Sequence, residues 1–133
     1  MMSKKLELLD LTVFPSTDKT IYVESDDIYG GAHRYILHNC LGFNNGKTDY
    51  DFAPDAPVQS IQFIKKAADG TIIPGLQSEQ LALVMLDRCK KLNARFPSDH
   101  NGKQVKGLEM FLEGCSDRVQ ERVDRGVMGD LKK

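Results

Sequence analysis

The hydrophobic positions of this chain change period once. From about residue 20 the apolar residues come in short runs rich in aromatic and branched side chains: IYV (21–23), RYILHNCLGF (34–43), YDF (50–52) and VQSIQFIKK (58–66). Runs of this kind, separated by turn signals, read as strands. Asn45-Gly46 and Asp69-Gly70 read as hairpin turns, because both dipeptides supply positive φ at low cost. The expected product is a small antiparallel meander over residues 20–75, ended by Pro74-Gly75. Residues 1–19 form an N-terminal extension, in which LELLDLTVF fits either a short helix or an edge strand.

Beyond Gly75 the spacing switches to three and four. SEQLALVMLDRCKKLNARF (78–96) carries apolar residues at Ala82, Met85, Cys89, Leu92 and Phe96, the signature of an amphipathic helix. Ser78 is the expected N-cap, with Glu79 favoured by the helix dipole. Phe96-Pro97-Ser98-Asp99 stops this helix and caps a second one over 99–125, whose seam is Val105, Leu108, Leu112, Cys115 and Val119. Two helices joined by so short a turn make an antiparallel hairpin, here over 78–126. The fold class expected is therefore α+β, a small antiparallel β-sheet followed by a C-terminal antiparallel helical hairpin. At 133 residues the chain reads as one domain.

Charge and cysteine content narrow the function classes. A net charge of −1 lacks the basic excess of a general DNA or RNA coat, although it permits a local basic pocket. Cys40, Cys89 and Cys115 are odd in number and have no CxxC spacing, which points away from a disulfide framework or a zinc site and towards a reducing cytoplasm. Acidic residues break the apolar start, so neither a signal peptide nor a membrane span is expected. His33 and His38 are five apart on a strand, face opposite sides and cannot chelate one metal. Cys40 has no obvious base besides His38, GGAH (30–33) lacks the spacing of a phosphate loop, and no serine has a GxSxG context. No catalytic constellation, cofactor motif or metal site emerges, which favours binding over turnover.

The second helix offers the chemistry. One heptad either side of Leu108 and Cys115, its seam reaches Asn101 and Arg122, so both ends of an apolar stripe are polar. Charge on a seam is costly unless it is paired, though fraying of the hairpin into solvent would also place it there. Arg118, Arg122 and Arg125 lie within roughly 60° of one another around the helix. The same strip carries Gly107, Phe111 and Gly114, and each interior glycine costs about 1 kcal/mol against alanine. Small residues, an aromatic ring and three guanidinium groups describe a nucleotide-shaped groove. Pairing of the arginines with Asp117, Glu121 and Asp124 along the surface describes the same spacing. Asn101 and Arg122 stand about 30 Å apart on a straight helix. If both touch one ligand they come from different chains, which predicts a homodimer at least, with sites paired by twofold symmetry.

HRYILHNCLGF (33–43), the IQF strand (61–63), IPGLQSEQL (73–81), DRCKKLNARFPS (87–98) and DRVQERVDRGVMG (117–129) together resemble the phage type-one Thoeris anti-defence proteins. The hairpin is similar to that of the anti-CBASS cyclic-nucleotide sponges. The resemblance spans roughly residues 33–129. It implies a sponge that binds glycocyclic ADP-ribose immune signals without cleaving them, in the cytoplasm of the infected bacterial host. By the same resemblance the ligand contacts fall on Asn101, Arg118 and Arg122, some relatives form hexamers, and cyclic di- or trinucleotides occupy separate sites. Arg125 joins this set by geometry alone. Phe96 has two candidate roles, stacking on adenine or closing the hairpin core. The rival classes are a cyclic-nucleotide or ADP-ribose hydrolase on the same groove and a non-catalytic protein-interaction module.

Overall fold

The computed structural model describes residues 4–26, 31–67 and 69–126. The fold is α+β. Its contacts divide the chain into two compact units, residues 1–76 and 77–133, where the sequence reads as one domain.

The first unit is built from antiparallel strands. β1 (Lys4–Leu8), β2 (Ile21–Asp26), β3 (Gly31–His38) and β6 (Val58–Gln62) form a four-stranded sheet in the order β1-β2-β3-β6. Of the two options for LELLDLTVF, its first three residues, Leu6–Leu8, take the edge strand, so this part of the expected extension belongs to the sheet. β1 pairs Leu6 with Glu24 and Leu8 with Tyr22. After it, α1 (Pro15–Asp18) makes one helical turn that returns the chain to β2. Asp18, almost wholly buried, closes that turn by accepting the Phe14 N–H at 3.1 Å.

The sheet departs from a simple meander. Between β3 and β6 the chain leaves to form a separate two-stranded hairpin, β4 (Cys40–Asn44) with β5 (Asp49–Phe52). β6 then returns to pair with β3, Tyr35 against Ile61 and Leu37 against Gln59. A third ribbon joins β7 (Lys65–Lys66) to β8 (Ile72–Ile73). Both expected hairpins exist, but their turns differ. Gly70 has φ +88° as the Asp-Gly signal requires. In the β4–β5 turn the positive φ falls on Thr48, at +51°, rather than on Asn45 or Gly46. There Asn44 decides the geometry, its Oδ1 accepting the Gly46 N–H at 2.9 Å.

The second unit is the helical hairpin, α2 (Ser78–Arg95) and α3 (Asp99–Asp124). Gln77, not Ser78, is the N-cap of α2, and its N–H donates to the Gln80 side chain at 2.8 Å. α3 starts as its sequence predicts, with Ser98 Oγ accepting the Asn101 N–H at 3.0 Å. It ends at Gly126, whose φ of +70° suits glycine and whose N–H donates to Val123 O at 3.0 Å. The second glycine of DRVQERVDRGVMG, Gly129, lies outside the described residues.

The inward faces follow a heptad rhythm. On α3 the half-buried residues are Asn101, Gly102, Val105, Leu108, Leu112, Cys115 and Arg122, while Val119 is more exposed. On α2 the inward line includes the buried Ala82 and the half-buried Glu79, Leu86, Cys89 and Asn93. The expected α2 seam is thus corrected: Ala82 and Cys89 face inward, whereas Met85, Leu92 and Phe96 are exposed. Residues 81–86 are apolar on nearly every side, so period alone leaves the face ambiguous, and packing on α3 selects the line through Ala82. A hairpin buries one seam of each helix. Leu83, Val84 and Met85 of α2, with Met110 and Phe111 of α3, remain exposed.

Candidate functional site

Arg118 and Arg122 converge on one cleft. It has a volume of about 240 Å³ and is lined by Glu79, Cys115, Arg118, Val119 and Arg122. Two local facts place them there. Positions 118 and 122 are one helical turn apart on α3, so both side chains leave the same flank. The hairpin is antiparallel, which brings the first turn of α2, with Glu79, beside the last turns of α3. A neighbouring depression of about 280 Å³ shares Glu79, Cys115 and Val119 and continues to Leu112, Ser116 and Gln120. The walls therefore combine two guanidinium groups with one carboxylate and apolar surface. Arg122 is half-buried at its seam position, while Arg118 is exposed at the mouth. Two such cations a turn apart suit a pair of phosphates, since guanidinium forks bind phosphate oxygens bidentately.

Arg125 is not part of this cleft. Its guanidinium pairs with Glu121 one turn back, through Nε to Oε1 and Nη2 to Oε2 at 3.3 Å. For Arg125 the surface-decoration reading is the one the structure adopts. That spacing could not separate the two outcomes is expected, because both use the same i, i+4 geometry.

Asn101 and Phe96 stand at the opposite end of the hairpin. Asn101 Nδ2 donates to the Phe96 carbonyl at 2.7 Å, which satisfies a carbonyl left open at the end of α2. The Phe96 ring is 59% exposed, so it does not close the hairpin core. Arg95 lies over it, with the guanidinium carbon 5.2 Å from the ring centroid. Nearby, Ser98, Asp99, Gly102, Lys103 and Lys106 line a shallow depression of about 390 Å³. Within one hairpin the five predicted residues thus fall into three places: Arg118 with Arg122, Arg125 on the surface, and Asn101 with Phe96 at the far end.

Glu79 is the cleft residue that sequence reasoning missed. Its signal is legible in retrospect: stepping back three residues from Ala82 along the inward line of α2 lands on it.

Cys115 shares the cleft as a free thiol. In the first unit, His38 Nδ1 bonds the Ala53 carbonyl at 2.8 Å and its ring lies 5.8 Å from Tyr22. That arrangement ties the sheet to the end of the β4–β5 hairpin, where the chain leaves β5. Among the described residues no helix is long and apolar enough to cross a membrane.

No protein-family model matches this chain, and no curated protein is significantly similar to it.

Proposed function

We propose that the chain is a non-catalytic sponge for a cyclic ADP-ribose-type signalling nucleotide, its diphosphate gripped by Arg118 and Arg122. The supporting observation is the cleft itself, in which a half-buried seam arginine and its neighbour one turn away line a common wall. Two guanidinium groups one turn apart match the two phosphates of a doubly charged diester.

In this reading the second wall belongs to another copy of the chain. Asn101 and Phe96 are a helix length from Arg122, so a nucleotide can meet both ends only across an antiparallel pair of hairpins. The exposed apolar residues of α2 and α3 are available to such a pair. Asn101 would read a polar edge of sugar or base, and Phe96 would stack on adenine. The same assembly accommodates a homodimer or a hexamer, and cyclic di- or trinucleotides are candidate second ligands. The resemblance in the strand and helical motifs between residues 33 and 129 supports glycocyclic ADP-ribose as the ligand and blockage of Thoeris effector activation as the outcome.

Calorimetry with glycocyclic ADP-ribose, followed by chromatography of what the heat-denatured complex releases, tests this. The expected result is nanomolar binding, about −12 kcal/mol, with the ligand recovered unchanged. Absence of any heat at micromolar protein overturns the sponge reading. Recovery of cleaved ligand replaces it with a hydrolase.

A further inference from the structure

Glu79 has a place that a merely capping acid does not need. Carboxylates in the first turn of a helix act on its dipole from the exposed surface. Glu79 is instead half-buried on the inward line of α2, and lines the cleft together with Arg118 and Arg122. It also lines the adjoining depression, so it stands where the two meet.

An ionised carboxylate has acceptors and no donor. Facing a phosphate it contributes repulsion only, and it weakens whatever the two arginines offer. Facing a hydroxyl it forms a charge-assisted hydrogen bond, one of the stronger kinds. A site containing both groups therefore separates ligands by chemistry. Bare phosphate loses affinity to the carboxylate and gains nothing from it. A sugar–diphosphate places hydroxyl donors beside its phosphates and gains from both.

We infer that Glu79 is the specificity-determining residue of this cleft, accepting hydrogen bonds from ribose hydroxyls next to the phosphates that Arg118 and Arg122 hold. The inference rests on the nucleotide-binding reading above and names the part of the nucleotide that this end of the hairpin recognises.

The test is calorimetry of the full-length wild type and Glu79→Gln with two probes, glycocyclic ADP-ribose and inorganic pyrophosphate. Thermal melts confirm that both proteins fold. Gln keeps the shape of Glu and removes the charge. The expected result is a loss of about tenfold or more for the nucleotide with pyrophosphate binding unchanged or tighter. Nucleotide affinity equal to or better than wild type overturns the role of Glu79 and leaves the sponge reading standing. So does a proportional loss for both probes, which marks structural damage. Wild type that binds neither probe overturns both.

Discussion

Asn101 donates its side-chain amide to the Phe96 carbonyl at 2.7 Å, and so fastens the start of α3 to the end of α2. The residue that resemblance assigns to a ligand already holds the hairpin turn. Asn101→Ala is expected to lower stability by about 1 kcal/mol, a typical loss for one hydrogen bond. Urea unfolding measures this, and an unchanged midpoint would show that the bond contributes nothing. Ligand affinity of the same variant has to be read on protein shown to be folded.

Arg122 and Arg125 should respond oppositely. Arg125 is held by Glu121 at the surface, where such pairs contribute less than about 1 kcal/mol. Arg125→Ala is expected to leave both stability and nucleotide binding nearly unchanged. Arg122→Glu reverses a charge inside the cleft and is expected to reduce nucleotide affinity at least about 100-fold, in line with buried charge-pair losses. Titration calorimetry on the two variants decides the assignment. Equal affinities for both would sink it.

Gly75 and Gly107 have contrasting surroundings. A Cβ on Gly75 would stand 2.5 Å from the Phe63 carbonyl carbon and 2.6 Å from Ile64 N, both backbone atoms. That close approach accompanies the hydrogen bonds that join Leu76 to Gln62 and Ile64 at 2.8 and 2.9 Å. Gly75→Ala is therefore expected to destabilise the first unit by about 1–3 kcal/mol or more, as overpacking does. A Cβ on Gly107 meets nothing within 4 Å. Gly107→Ala in the interior of α3 is expected to stabilise the helix by about 1 kcal/mol. If this face receives a second copy, the same change weakens self-association, which sedimentation would detect.

The β4–β5 turn should be sensitive to acid. Lys47 donates to Asp51, and this bond, helped by Asn44, holds the Asp51 carboxyl below its ordinary 3.8. Ser16 and the Tyr50 N–H hold Asp49 down in the same way. Lowered folded-state values stabilise the fold above the unfolded pKa, and that contribution disappears as pH falls through the folded one. Lys47, raised above 10.5 chiefly by Asp51, contributes below that value and loses its contribution as pH rises through the folded one. The turn is expected to be tightest between these limits. A carbon NMR titration of Asp51 checks the sign, and a midpoint at or above 3.8 contradicts it.

Much of the helical unit could be read from residues alone. Helix period, the Ser98 cap and the polar seam ends at Asn101 and Arg122 all depend on positions within a few turns of one another. The same holds for the two hairpins, although Thr48 rather than Gly46 takes the positive φ because Asn44 fixes the turn. Arg118 and Arg122 were found by spacing, and their common cleft agrees with it. Arg125 was not separable from them, since its partner Glu121 uses identical spacing.

What the sequence determined by itself is local: which segments are strand or helix, where α3 begins and where it ends, and that charge interrupts an apolar stripe. Backbone preferences and side-chain period decide these things without reference to distant residues. Tertiary structure alone decided that β6 returns to β3 past the β4–β5 hairpin, that α2 turns Ala82 rather than Met85 inward, and that Glu79 shares a cleft with Arg118 and Arg122. Each of these joins residues far apart in the chain, and only the packing of one element against another selects among the pairings that local patterns leave equally good.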